Sequence, residues 1–181
     1  AGRLNEALAA FNRSLEVEPK NIYALSNRAM LYQNTGQFGP ALIDLNAAIE
    51  ADPKQAVVIN NRGMLYHNMG NLSLSTRDLE KAIELDPKLA MAYSNLGYNL
   101  ILVGEFQAAV GVLDKAVSLD PRSAKAYTNR GLAYYRLKKV DQAFADFSTA
   151  LKLDPKLPRA LNNRASIYVD RVDLPAAKRD I

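Results

Sequence analysis

Apolar residues recur every three to four positions along most of the chain, the period of an amphipathic helix. Over 124–136 they fall at Ala124, Tyr127, Gly131, Tyr134 and Tyr135, and over 141–153 at Ala143, Phe147, Ala150, Leu151 and Leu153. Polar, glycine-bearing turns separate such stretches: TGQF at 35–38, MGNL at 69–72 and VGEF at 103–106. Glycine there supplies the positive φ of a helix C-terminus. Lys138 and Val172 hold the same slot in later turns, which predicts tighter or more strained turns. The following helix ends at an acid–proline pair, because proline disfavours helix in the residue before it. The predicted module is helix A, turn, helix B, turn.

The module repeats. Pro19, Pro53, Pro87, Pro121 and Pro155 are 34 residues apart, each preceded by an acid: Glu18, Asp52, Asp86, Asp120 and Asp154. The same period carries an asparagine column (Asn27, Asn61, Asn95, Asn129, Asn163) and a small-residue column (Ala29, Gly63, Gly97, Gly131, Ala165). Tyr32, Tyr66, Tyr134 and Tyr168 form an aromatic column with Leu100 as its exception, and Ala48, Ala82, Ala116 and Ala150 form another, with Ser14 in register. Pro40, Pro158 and Pro175 fall near predicted helix starts, where proline is tolerated. Gly111 sits inside a predicted helix B, at a cost of about 0.5–1 kcal/mol relative to alanine.

A 34-residue helix–turn–helix with two small inner positions, a late tyrosine in helix A and a proline closing helix B resembles the tetratricopeptide repeat family. The resemblance covers essentially the whole chain. It implies an all-α, right-handed superhelical solenoid. On the family's phase the full repeats are 22–55, 56–89, 90–123 and 124–157. Residues 1–21 hold only the helix B of an earlier repeat, and 158–181 hold a helix A and the start of a helix B. The family's tryptophan slot holds Leu25, Ile59, Tyr93, Tyr127 and Leu161. Solenoids need polar capping elements. None is evident here, so the chain is expected to be part of a longer array or to associate through its ends.

Charge changes the picture only locally. Residues 1–90 carry 9 Lys/Arg and 10 Asp/Glu, net −1, and residues 91–181 carry 14 and 9, net +5, which together give the +4 of the chain. A basic half invites a nucleic-acid reading. However, the arginine column Arg28, Arg62, Arg130 and Arg164 is matched sixteen residues later by Asp44, Asp78, Asp146 and Asp180. In repeat three both slots turn apolar together, as Leu96 and Val112. Such covariation implies contact, so each arginine is expected to pair across helices A and B of its own repeat. That removes most of the basic stripe, and nucleic acid is not the expected partner.

The resemblance implies that helix A lines a concave groove that binds protein or peptide. In family members that bind extended peptides, the asparagine column contacts the ligand backbone, which implies that role for Asn27, Asn61, Asn95, Asn129 and Asn163. A carboxamide can donate to C=O and accept from N–H without reading sequence. Layers about 10 Å apart match three extended residues of about 3.3 Å each. The structural alternative is that each Asn bonds a neighbouring repeat and stiffens the array. Other groove slots are apolar early and in the middle (Tyr23, Met30, Val57, Met64, Met91, Tyr98, Ile101, Leu132) and basic later (Lys125, Arg136, Arg159). An extended ligand with apolar side chains first and an acidic group or C-terminal carboxylate last would fit. Lys125 also matches a lysine slot of the family's carboxylate clamp. The companion arginine slot holds Asn129, and the full clamp is absent.

Nothing in the sequence has the arrangement of a catalytic site. The single His67 has no orienting acid or nucleophile near it in sequence, and no glycine-rich phosphate loop is present. There is no cysteine and only one histidine, so neither thiolate nor multi-histidine metal sites are expected, and no cofactor is. No apolar run approaches the roughly 20 residues of a membrane span. The compartment stays open, with the cytoplasm as the default. The other function class is a self-association module in which incomplete terminal repeats pair between chains.

Overall fold

The computed structural model describes residues 2–170 and 179, with side chains from residue 4 onward. The turn expected at Val172, the helix start at Pro175 and the Arg164–Asp180 pair lie outside the described residues. Among the described residues there are ten helices and no strand. They fall into two compact units, Ala1–Leu89 and Ala90–Ile181.

The N-terminal unit holds α1 (Gly2–Val17), α2 (Ile22–Asn34), α3 (Phe38–Ala51), α4 (Ala56–Asn68) and α5 (Leu72–Leu85). The C-terminal unit holds α6 (Ala90–Leu102), α7 (Phe106–Leu119), α8 (Ala124–Arg136), α9 (Val140–Leu153) and α10 (Pro158–Asp170). The most extensive packing is between the helices of one repeat: α2 with α3, α4 with α5, α6 with α7, and α8 with α9. Within each unit the A helices also touch one another, α2 with α4, and α8 with both α6 and α10. No described helix is long and apolar enough to cross a membrane.

Local sequence sets the helix ends. Asn21, Asn71 and Ser123 cap α2, α5 and α8, their side-chain oxygens accepting from the backbone N–H three residues on. That satisfies one of the donors a helix start leaves over. Gly36, Gly70 and Gly104 turn the chain between helices A and B at φ 75°, 78° and 87°. Lys138 does the same at φ 62°, which is the strained turn expected of a non-glycine residue in that slot. Asp52, Asp86, Asp120 and Asp154 end the B helices in a largely extended conformation. Each carboxylate then accepts from the N–H two residues later at 2.9–3.1 Å. At Asp52 the hydrogen bond from the Lys54 N–H, followed by that from Gln55, lowers the carboxyl pKa.

The cores are built from the repeat columns. In the N-terminal unit Leu15, Leu25, Ala29, Ala41, Leu45, Ala48 and Leu65 form one buried cluster. Leu45 and Leu65 are fully enclosed, each worth about 1.5–3 kcal/mol of burial. In the C-terminal unit Leu113 and Phe147 fill the matching place. The small column exists to let helix A close on them. A Cβ on Gly131 would stand 2.7 Å from the Phe147 ring, and one on Gly97 would collide with Leu113. At Gly63 the nearest atom, on Leu79, is 3.1 Å away.

Candidate functional site

Three members of the arginine column, Arg28, Arg62 and Arg130, are structural. Arg28 makes a two-point pair with Asp44, Nε to Oδ2 at 2.8 Å and Nη2 to Oδ1 at 2.7 Å. Arg62 pairs likewise with Asp78 and Arg130 with Asp146. The three aspartates are buried. Their hydrogen bonds raise the pKa of each arginine, so the guanidinium stays charged at any working pH. Two features of this clamp went unread in the sequence. The remaining nitrogen, Nη1, donates to an acceptor sixteen residues upstream on the preceding helix B: Asn12, Asn46 and Asp114 respectively. Each guanidinium also lies over the tyrosine four residues on, 5.8–5.9 Å from the ring centroid, close enough for a cation–π contribution. That explains why Leu100 breaks the tyrosine column in the repeat whose arginine is Leu96. The periodic acceptor column, with Asn and Asp sharing one slot, was the available signal.

The face expected to bind a ligand is built from positions i, i+4 and i+7 of the A helices, which line one side of a helix. On α2 these are Tyr23, Asn27 and Met30, all exposed, Tyr23 by 83%. On α4 they are Val57, Asn61 and Met64, with Val57 exposed and the other two half-buried. A pocket of about 100 Å³ lies between the two helices, lined by Ser26, Met30, Gln33, Leu45, Asn61 and Met64. One polar atom there is buried and unsatisfied, and one amide is uncommitted. Ser26 Oγ is buried without a hydrogen-bond partner. Asn61 accepts from Asn60 Nδ2 at 3.3 Å, but its own Nδ2 donates to no described residue.

The same face of the C-terminal unit is closed at this slot. Asn129 is fully buried, and its Nδ2 donates to the Ser94 carbonyl at 3.2 Å and contacts Ser94 Oγ at 3.4 Å. Its Oδ1 is buried without a partner. Asn95 is buried as well and accepts from Lys125 Nζ at 2.8 Å. For Asn129 this is the structural role weighed as the alternative to ligand binding: its donor belongs to the neighbouring repeat. Asn163 on α10 is half-buried. Ile101, expected on the face, is instead in the core at 4% exposure, because its slot turns toward helix B. Leu132 is half-buried and packs on the core from its edge.

Of the basic residues, Lys125 and Arg159 come together and Arg136 does not. Lys125 is exposed as a residue, yet its ammonium is turned onto the Asn95 carboxamide. Loss of water around that ammonium, and secondarily the Arg159 charge, lower its pKa,. The Arg159 guanidinium lies 4.4 Å from the Tyr98 ring centroid. Neither cation reaches a carboxylate of a described residue within ion-pair distance. Arg136 stands over Phe106, eleven residues and roughly 16 Å along α8 from Lys125. Met91, on the first turn of α6, is half exposed. His67 is half-buried in the last turn of α4. No cluster of three metal-ligating side chains occurs among the described residues.

Comparison with known proteins agrees with this geometry. Residues 1–60, 56–89 and 124–157 match models described as tetratricopeptide repeat, and residues 101–138 one described as TPR repeat. No curated protein sequence matches significantly. Among solved structures, a tetratricopeptide repeat protein from Parabacteroides merdae aligns at TM-score 0.80 and 26% identity, over 99% of this chain and 70% of that one. MamA aligns at TM-score 0.68 and 26% identity, over 82% and 87%. YrrB, described as a TPR protein with an unusual peptide-binding site, aligns at TM-score 0.67 and 21% identity, over 94% and 88%, which speaks to the fold alone. Paired helices on a 34-residue period, with family models matching along most of the length, establish that the chain belongs to the tetratricopeptide repeat family.

Proposed function

We propose that the chain is a protein-interaction scaffold that holds an extended segment of a partner along its A helices. The observation that carries this is the stripe of the N-terminal unit: Tyr23, Met30 and Val57 expose large apolar groups at 83%, 54% and 47%. Aligned apolar side chains of this kind mark interaction sites. Beside them stand Asn27, exposed, and Asn61 with an uncommitted donor amide, suited to a peptide carbonyl. In the C-terminal unit the contact is of another kind. Lys125 bonds Asn95 and Arg159 lies over Tyr98, and neither pairs with a carboxylate of a described residue, so an acidic side chain or terminal carboxylate of the ligand would form a charge-assisted bond there. The arginines that would have suggested nucleic acid are tied to Asp44, Asp78 and Asp146.

The test is a random peptide array probed with the wild-type chain and two variants, all checked by circular dichroism for retained helix. Tyr23→Ala/Asn61→Ala should lose the peptides whose recognition is apolar. Lys125→Ala/Arg159→Ala should lose those that carry an acid or a free C-terminus. Asn129 is left intact, because its amide bonds the neighbouring repeat. Binding that survives in both variants overturns the reading. A mass that rises with concentration, with no peptide bound, would favour self-association through the chain ends.

A further inference from the structure

Where helix B turns into the next helix A, the two units carry opposite charge. Helices joined by short turns run alternately up and down, so these turns all lie at one end of a unit's helix pairs and form an edge. Along 16–23, 50–57 and 84–89, the edge of the N-terminal unit, six acids stand against three lysines, net −3. Along 118–125 and 152–159, the edge of the C-terminal unit, five cations stand against two aspartates, net +3. The acid and the base that flank each turn proline cancel in every repeat. Two other slots reverse the sign. The last turn of helix B holds Glu16, Glu50 and Glu84, then Ser118 and Lys152. The first turn of helix A is uncharged in the first three repeats and then holds Lys125 and Arg159. All six of these charged residues are exposed.

Local electrostatics do not account for the glutamates. The C-terminus of a helix carries partial negative charge and favours cations, yet α1, α3 and α5 each place a carboxylate in the last turn. In α9 Lys152 follows the rule. Glu84 pairs with Lys81 one turn back, whereas the side chains of Glu16, Glu50, Arg122 and Lys152 pair with no described residue. Both edges are built on one 34-residue period, so charge recurs at the same interval along each, on neighbouring helices about 10 Å apart. Equal and opposite charge on a shared spacing is what two copies need to pair in register. We propose that the basic edge of the C-terminal unit docks on the acidic edge of the N-terminal unit of a second copy of this chain. Lys125 and Arg159 then meet glutamates of that copy in place of a peptide acid. Complementary charge of this kind steers encounter and fixes register more than it adds affinity, so the contact is weak and reversible. The proposal goes beyond the peptide scaffold and needs no pairing of chain ends.

Sedimentation equilibrium tests it, at about 20 mM and about 300 mM salt, between which the Debye length falls from roughly 20 Å to roughly 6 Å. The wild type should associate in low salt and be monomeric in high salt. Glu16→Lys/Glu50→Lys makes both edges basic, and Arg122→Glu/Lys152→Glu makes both acidic. Each alone should self-associate at least about tenfold more weakly in low salt, since each exposed pair is worth roughly a few-fold. An equimolar mixture should associate again, because it keeps one native edge from each variant. Circular dichroism checks that both variants stay helical; Glu16→Gln/Glu50→Gln, which should weaken association about threefold, gives the same test if a reversal unfolds the chain. Association that persists in high salt and in both variants overturns the proposal and points to the chain ends. A wild type that stays monomeric in low salt, or a mixture that does, overturns it too. Peptides that depend on Tyr23 and Asn61 should be captured by both variants whichever way the mass comes out, so the scaffold reading stands or falls separately.

Discussion

The two units use one asparagine column in two ways. In the C-terminal unit Asn129 is fully buried and bonded to Ser94 of the repeat before it. In the N-terminal unit Asn61 stands at an open pocket with its amide uncommitted, and the matching Ser26 Oγ has no partner. The residues are identical at both slots, so the difference comes from what surrounds them. Where Tyr98 and Ile101 pack the neighbourhood, the polar pair is pressed together. Where Met30 and Gln33 stand, it stays apart. A repeated residue therefore has no fixed role: its surroundings decide whether it stiffens the array or faces a ligand.

The same contrast runs through the arginine clamps, where the largest effects are expected. Arg62 has one charged partner, Asp78, and a neutral one, Asn46. Arg130 has two charged partners, Asp146 and Asp114. Losing one member of a fully buried pair costs about 3–5 kcal/mol; these arginines keep about a fifth of their surface in water, so less is expected. Asp78→Ala should cost about 3 kcal/mol and Asp146→Ala about 2 kcal/mol, since Asp114 still faces Arg130. Urea unfolding followed by circular dichroism measures both. A larger loss at Asp146 would break the comparison. The double variant Arg62→Leu/Asp78→Val installs the pair already present as Leu96 and Val112, and should fall within about 1 kcal/mol of wild type, because an apolar pair can replace a buried ionic one.

Next in size is the small-residue column. Gly131→Ala drives a methyl to within 2.7 Å of the Phe147 ring and 3.2 Å of the Ala143 carbonyl. Overpacking of that kind costs about 1–3 kcal/mol. Gly63→Ala meets only the movable Leu79 side chain and Asp78 Cβ at 3.1–3.3 Å, and it gains about 1 kcal/mol of helix propensity. The N-terminal unit should therefore tolerate the change that the C-terminal unit does not. Equal melting temperatures for the two variants would show that the units are equally tight.

The asparagines come third. Asn129→Ala removes a buried inter-repeat hydrogen bond and should lower stability by about 1 kcal/mol. Asn61→Ala breaks only a weak contact with Asn60, so its stability should stay within about 0.5 kcal/mol of wild type while peptide capture falls. If Asn61→Ala also unfolds the chain, the column is structural throughout, and the difference between the units is one of degree.

Much of this was legible in the sequence, because a repeat writes the same instruction several times. The acid–proline pairs fix where the B helices stop, and the glycines at 36, 70 and 104 fix the turns. Leu96 and Val112 changing together was enough to pair Arg28 with Asp44 without coordinates. The third acceptor was harder: Asn12, Asn46 and Asp114 differ in charge, so no single residue type marks the slot. Ile101 and the asparagines were misjudged or left open for a different reason. Period assigns a slot, but how far a side chain turns from the outer face toward helix B depends on its neighbours' bulk. Side-chain packing of this kind is set by three helices at once, and no one-dimensional spacing encodes it.

The smallest effect concerns the turns, and it separates backbone strain from packing. Both A–B turns of the N-terminal unit carry glycine at positive φ, Gly36 and Gly70, whereas the C-terminal unit has Gly104 and then Lys138 at φ 62°. A Cβ placed on any of the three glycines meets no atom within 4 Å, so crowding plays no part and only the left-handed conformation matters. That conformation costs a residue with a Cβ about 1–2 kcal/mol, offset in part by the extra freedom glycine has in the unfolded chain, about 0.5–1 kcal/mol. Lys138→Gly should thus stabilise the chain by about 0.5–1 kcal/mol, read as a rise in Tm. Gly70→Lys should lower stability by a similar amount. If Lys138→Gly leaves Tm unchanged, the lysine's stem contributes a compensating contact at the turn, and the C-terminal unit is held together there by a side chain where the N-terminal unit relies on backbone freedom.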